Sequence, residues 1–461
     1  MNSYLAAWNS VCYNTPVFHS TSDEIFMAIH LFRKPVFCAA LLFSLISFTG
    51  AESYYFKDLG TLGGNTSQAY ALNNSGQVVG FAAISNNVYS HAVLFSGTGS
   101  NNTDLDSQGP VSYVGEARGI NDSGQIIGWA NTSSGRIEAT LFTASGKVNL
   151  GDLCGSSPTA SEAQAINSSG TSIGFADDCS FTAQGCRFSG QGSNNVSLGG
   201  IGGGINGVAY DINASGQIVG YGTRSDNGAQ HATLFRGSGN VDLGALGGFN
   251  SHAYGINNAG QIVGDSAITG NSAFHAVLFS GTGSNNIDLG TLGGATSHAN
   301  AINNGGEIVG NSYPATNNNT IYHAFIYKNG VMSDVNALVL PGSGFSNIRL
   351  IEAGSRVPGR AINDSGQIAA VGEIGGSSHA ILLTPVLRKM SVVINGNDII
   401  VKFDAMAGNT YRLKQTLDLA NPNWQSVPGV SDFTAATTGP AQFTYTNGLT
   451  LGKAYYKVQF L

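Results

Sequence analysis

One nine-residue phrase recurs seven times along this 461-residue chain and constrains its fold more than any other feature. The copies are LNNSGQVVG from Leu72, INDSGQIIG from Ile120, INSSGTSIG from Ile166, INASGQIVG from Ile212, INNAGQIVG from Ile256, INNGGEIVG from Ile302 and INDSGQIAA from Ile362. Successive copies lie 48, 46, 46, 44, 46 and 60 residues apart. A second phrase keeps the same beat, as HAVLF at His91, EATLF at Glu138, QGCRF at Gln184, HATLF at His231, HAVLF at His275, HAFIY at His323 and HAILL at His379. A third, DLGTLGG-like, is centred on Leu59, Leu105, Leu150, Leu198, Leu243, Leu289 and Val335. Self-similarity at a fixed period means one supersecondary unit stacked against copies of itself.

Each unit holds three or four short runs of Ile, Val, Leu and Phe bounded by Gly, Asn and Ser, which is a strand-and-turn pattern. No run of 10–12 residues shows a helical period, so helical solenoids are excluded. In the Asn-x-Ser-Gly element, Asn and Ser side chains bond nearby backbone N–H groups and Gly supplies the left-handed residue, which predicts a hairpin turn. A unit of about 46 residues accommodates four strands, the period of a propeller blade. One DLG copy (Asp58 to Gly64) precedes the first hairpin and none follows the last HAILL, so the N-terminal strand is expected to complete the last unit. The expected fold is all-β: a seven-bladed β-propeller over 52–387, closed by its N-terminal strand, with a separate C-terminal domain over 388–461.

These three phrases, in fixed order, resemble the HAF-type extracellular repeat family, and all seven units match. The third unit departs, with QGCRF for HAxLF and TSIG for QIVG. The resemblance implies an exported protein, with no established reaction and no catalytic residues. The tail, with its AGNTYRLKQTxDL…W…YYKVQ pattern, resembles C-terminal fibronectin-type-III-like domains of secreted bacterial proteins. Its short alternating runs between NGN, AGNT and NPN turns predict a small β-sandwich.

Residues 1–51 read as an upstream extension and a signal peptide starting at Met27, with Arg33 and Lys34 before the apolar Pro35 to Phe48 and small residues at Thr49-Gly50-Ala51. That apolar run is short for a membrane span, and none is expected in the mature chain. Of five cysteines, Cys12 and Cys38 fall in this leader. Export permits disulfides. The seven-residue spacing of Cys179 and Cys186 suits a loop staple, with Cys154 free or the true partner of either.

The composition carries few charges, 10% against a usual ~25%, while 42% is hydrophobic, which argues against disorder. The net charge of −7 offers no basic surface for nucleic acid or anionic lipid. Candidate binding residues fall in two groups. His91, His231, His275, His323 and His379 share one repeat position, with Glu138 and Gln184 in the other two. They read as a polar collar or as a repeated structural clamp. His252 and His298, in SHA phrases, read the same way. The long seventh unit carries about 14 extra residues with Arg349, Glu352, Arg356 and Arg360, a loop suited to an acidic sugar or a carboxylate, or a charged strut. DINASG at Asp211 matches the start of a calcium loop, but no Glu closes it and the turn reading wins. No metal-ligand spacing, nucleophile elbow or phosphate loop is present, so no cofactor is expected. The expected function is non-catalytic binding of extracellular polysaccharide or a surface protein. A polysaccharide hydrolase or lyase and a structural envelope component are the alternatives.

Overall fold

A computed structural model of the chain describes residues 53–460, apart from 86, 98, 108–113, 156–158, 191–193, 238, 282, 284, 316–320, 340–343, 352–359, 386–389, 396–397, 406–409, 417–422, 424, 436–438 and 447–452, together with 20–21, 24–25 and 27–30. The chain is all-β and divides into two compact units, Tyr54–Thr384 and a second made of Pro385–Leu461 with Met1–Ser53.

Among the described residues, the larger unit contains seven four-stranded sheets. The fifth is representative: Gly247–Ile256, Ile262–Ile268, Phe274–Phe279 and Ile287–Asp288 pair in sequence order as antiparallel neighbours. The nine-residue phrase supplies the turn between the first and second strands, and the HAxLF phrase supplies the third strand. In the last sheet Tyr54–Asp58 takes the fourth place beside Ser377–Pro385. Each consecutive pair of sheets encloses an apolar core. Ile127 and Ala139 of the second sheet meet Ala163 and Ile166 of the third, and Val263 and Ala276 of the fifth meet Ala299 and Ile302 of the sixth. The last sheet packs on the first in the same way, through Ala369, Ala380, Ala69 and Leu72.

The repeated Asn makes a second closure. Its side chain is buried in every turn. Oδ1 accepts the backbone N–H four residues on, as from Gln77 to Asn73 and from Gln217 to Asn213. Nδ2 donates to the backbone carbonyl of the Asn in the next turn, at 3.0–3.3 Å. The series runs Asn73, Asn121, Asn167, Asn213, Asn257, Asn303 and Asn363, and returns from Asn363 to Asn73. Only a carboxamide supplies an acceptor and two donors at one position; Asp has no donor.

The glycine closing QIVG has a steric cause. A bulge in the first strand brings a carbonyl over the second strand, so a Cβ at Gly220 would lie 1.9 Å from the Val208 oxygen, and one at Gly264 would lie 1.9 Å from that of His252. The seventh copy reads QIAA, with Ala370 in that place. There the first strand is interrupted: Ser346–Arg349 pairs with Ile368–Ile374, the chain leaves, and it returns at Ile362. The inserted residues thus split one strand, and the glycine is dispensable where the overlying carbonyl has gone.

The cysteine expectation is corrected. Cys154 is bonded to Cys179, with Cα atoms 4.8 Å apart, and Cys186 is free and buried. Cys186 sits on the strand Ala183–Phe188, opposite Gly174, and faces the core between the second and third sheets, the place held by Val93 and Val277 in other repeats. Its side chain is enclosed in that core, whereas Cys179 is exposed in the turn between the second and third strands. Burial pushes its thiol up to about 12.

In the smaller unit, Met390–Asn395, Asp398–Ala405 and Gly439–Tyr445 form one sheet. Lys453–Phe460, Thr410–Thr416 and Gln425–Ser426 belong to another, which Met27–His30 joins beside Lys453–Phe460. Ile399, Val401, Phe403, Tyr411, Leu413, Phe443 and Val458 from both sheets share one core. The apolar run 35–48, expected to be part of a signal peptide, and Trp424 lie outside the described residues. Among the described residues, no helix is long and apolar enough to cross a membrane.

Gly220→Ala is expected to lower unfolding stability by about 3 kcal/mol or more, because the clash is with backbone, whereas Ala370→Gly costs about 1 kcal/mol or less. Urea denaturation of the two variants checks this. Equal losses would contradict the strand-crossing explanation.

Candidate functional site

The five column histidines are each tied within a sheet. Nδ1 lies 2.8 Å from the Asp104 carboxylate for His91, 2.8 Å from Asp242 for His231, 2.9 Å from Asp288 for His275, 2.8 Å from Asp334 for His323 and 3.0 Å from Asp58 for His379. Each Asp belongs to the DLG phrase and also accepts the backbone N–H two residues on, as from Gly60, Gly244 and Gly290. Where the histidine is missing, both partners have changed: Asn149 Nδ2 donates to Glu138, and the Ser197 hydroxyl donates to Gln184. Asn149 and Ser197 still accept from Gly151 and Gly199. This column is a set of rungs joining third strand to fourth.

The charged residues of the long unit go to separate places. Arg349 pairs with Glu373 at 2.8 Å and sits within 3.5 Å of the Ser378 hydroxyl. Arg360 lines a small pocket with Asn74, Asn257, Asn303 and Asn363, at the centre of the asparagine series, with room for about one water. Its charge acts on Asp211, whose carboxyl burial pushes up and Arg360 pulls down. Asp211 accepts backbone N–H groups from Ile212 and Ile256, so the calcium-like phrase serves as a strand-to-strand clasp. Glu352 and Arg356 lie outside the described residues. A larger pocket, lined by Leu141, Leu150, Ile166, Thr171 and Phe188, opens between the second and third sheets, where Thr171 stands in place of the usual Gln.

What differs between repeats lies elsewhere. Four and two residues before each of the first six nine-residue phrases, the first strand carries Gln68 and Tyr70, Glu116 and Arg118, Glu162 and Gln164, Val208 and Tyr210, His252 and Tyr254, His298 and Asn300. Facing the earlier position of each pair across the ladder are Phe81, Trp129, Phe175, Tyr221, Asp265 and Asn311. In the first three repeats these residues form an ion-paired group. Arg118 reaches Glu116 at 2.8 Å and Glu162 at 3.6 Å, lies 5.4 Å from the centre of the Tyr70 ring, and is buried.

In the fourth to sixth repeats they form a different cluster around Asp265, which is 2% exposed. Its Oδ1 lies 2.8 Å from His252 Nδ1, and its Oδ2 lies 2.6 Å from His298 Nδ1 and accepts the Tyr254 hydroxyl at 3.1 Å. Burial alone would raise the Asp265 carboxyl, but the two imidazoles outweigh it and hold the group at about 2. Burial, with Asp265 beside it, drives the Tyr254 phenol well above its usual value. The outer nitrogens are engaged too: His252 Nε2 lies 3.2 Å from Gln230 Oε1, and His298 Nε2 lies 3.2 Å from the Tyr322 hydroxyl. A buried carboxylate in a slot that elsewhere holds Phe or Trp costs packing, so the cluster is the strongest functional candidate.

Topology gives this cluster a side. Antiparallel strands alternate in direction, so the loop before each third strand shares a face with the start of each first strand, opposite the asparagine turns. The exposed Val88, Phe181, Phe249 and Ile321 lie in these segments, as does the disulfide residue Cys179.

No protein-family model and no curated protein matches the chain. Among solved structures it is similar to one assigned to TolB of Agrobacterium tumefaciens, at 10% identity and a TM-score of 0.30, covering 64% of this chain and 88% of that one.

His275→Glu is expected to destabilise the protein by setting two carboxylates together, and adding Asp288→Asn, which recreates the pair of the second repeat, restores most of the loss. A double-mutant cycle by thermal unfolding checks this, and simple additivity would contradict it. Asp265, lowered when folded, adds stability that is full above the unfolded value of ~3.9 and lost as pH falls towards 2. A carbon-13 titration of its carboxyl should give a midpoint near 2, moving up in His298→Phe; no movement would contradict the pairing.

Proposed function

We propose that Tyr54–Thr384 is a seven-bladed β-propeller, each four-stranded sheet being one blade, with Tyr54–Asp58 closing the last. The tail is a small β-sandwich. The chain is an exported, non-catalytic binding module for extracellular polysaccharide. The observation that carries this reading is the division of the repeats: turn, rung and core residues recur, while the first-strand positions on one face change from blade to blade. A surface that varies over a fixed scaffold is how repeat folds build recognition sites. The Cys154–Cys179 bond suits an oxidising compartment, as the resemblance to HAF-type extracellular repeats implies.

A hydrolase or lyase reading has one observation in its favour. Asp265, His298 and Tyr322 stand in line, a carboxylate orienting an imidazole that meets a phenol, which is an arrangement able to move a proton. Incubating the full chain with neutral and acidic polysaccharides separates the readings. Retention without new chain ends is the expected result, and new chain ends would overturn it.

A further inference from the structure

Six rings follow one another across the fourth, fifth and sixth sheets. Tyr221 meets His252 with ring centres 5.4 Å apart, His252 meets Phe274 at 6.1 Å, Phe274 meets His298 at 6.3 Å, His298 meets Tyr322 at 5.7 Å, and Tyr322 meets Tyr313 at 3.8 Å. The planes of His252, Phe274 and His298 lie within 28° of parallel at each step. All six residues are half-buried. Phe274 and Tyr322 occupy one repeat position, the residue before the column histidine, where other units carry Ser90, Ile137, Ala183, Gln230 and Ser378. His252 and His298 share another. The middle four rings are therefore built by the same two substitutions in two adjacent repeats, and Asp265 fixes both imidazoles.

We propose that this row is the binding strip for an uncharged polysaccharide chain; the assignment rests on the reading of the protein as a polysaccharide-binding module. The C–H faces of a sugar stack on flat rings, and the Tyr322 hydroxyl and the Gln230 amide lie among those rings to meet sugar hydroxyls. A row spanning three repeats fits an extended chain better than a compact ligand. The strip brings no Lys or Arg, and a carboxylate lies beneath it, so an acidic polysaccharide gains no attraction there. Single-stranded nucleic acid also stacks on aromatic rows but needs a cationic groove, and the chain carries a net charge of −7.

The test is affinity electrophoresis of the full chain in gels holding xylan, galactomannan or β-glucan as neutral probes and alginate or polygalacturonate as acidic ones. The variants are Phe274→Ala, Tyr322→Ala and, as the control, Phe181→Ala, an exposed side chain on the third repeat. Phe274→Leu keeps the test open should Phe274→Ala fail to fold. The expected result is retention by at least one neutral probe, weakened at least tenfold in the strip variants and unchanged in Phe181→Ala. Wild-type retention that the strip variants share would overturn the strip while leaving the binding reading intact. Retention by acidic probes alone would overturn the ligand class. Retention by no polysaccharide, with binding of a proline-rich peptide or of nothing, would overturn the binding reading itself.

Discussion

The buried asparagine that opens each turn is the contact on which the larger unit depends. Its Oδ1 shapes its own hairpin and its Nδ2 reaches the carbonyl of the next, so one side chain sets local conformation and neighbour spacing together. Each such bond contributes about 1 kcal/mol net, but losing one leaves a buried carbonyl without its partner, which costs about 1–3 kcal/mol. Because the series returns from Asn363 to Asn73, no repeat is terminal. An array of short sheets would otherwise expose apolar faces at both ends, and here the last core is filled by the first and last sheets together. The His379–Asp58 rung ties the N-terminal strand Tyr54–Asp58, from which the chain runs on into the first sheet, into the last sheet.

This closure frees other positions. Core alanines are fixed by packing between copies, and the rung pairs and the crossing glycine by contacts within each sheet. The first-strand residues two and four before each turn are not: in the second and third repeats they set an arginine between two glutamates, and in the fifth and sixth their histidines bind an aspartate of the second strand. Asp265 takes a place filled elsewhere by Phe81, Trp129 or Phe175, so its two imidazoles and one phenol are the compensation that lets a carboxylate stay buried. The Cys154–Cys179 bond holds a loop on the face that carries this variation, and Phe181 stands exposed near its tip at φ 59°, backbone that a bulky residue rarely adopts.

Much of this was legible in the sequence because repetition makes a chain its own alignment. Period, strand content and turn chemistry follow from phrases that recur in order, and the displaced DLG copy signals that Tyr54–Asp58 belongs with the last unit. The rung partners were legible too, since Glu138 with Asn149 and Gln184 with Ser197 change together, but a reading of the histidines alone does not find their aspartates. The cysteine spacing favoured Cys179 with Cys186 and left Cys154 only as an alternative partner, because spacing along a loop says nothing of strand facing; the place of Cys186 in a slot held by Val93 and Val277 in other repeats shows it buried. The variable cluster was missed because attention to what recurs passes over what differs. Asp265 is invisible without the ladder register, which alone sets it opposite His252.

Native-state hydrogen exchange of the seven turn amides tests the ring most directly, taking the backbone N–H of residues 77, 125, 171, 217, 261, 307 and 367, each bonded to its asparagine. A closed ring opens as one unit, so residues 77 and 367 should exchange with the same free energy as residue 217, and at the global unfolding value. A gradient, with the first and last repeats exchanging well before the fourth, is the signature of an open array and would contradict the account.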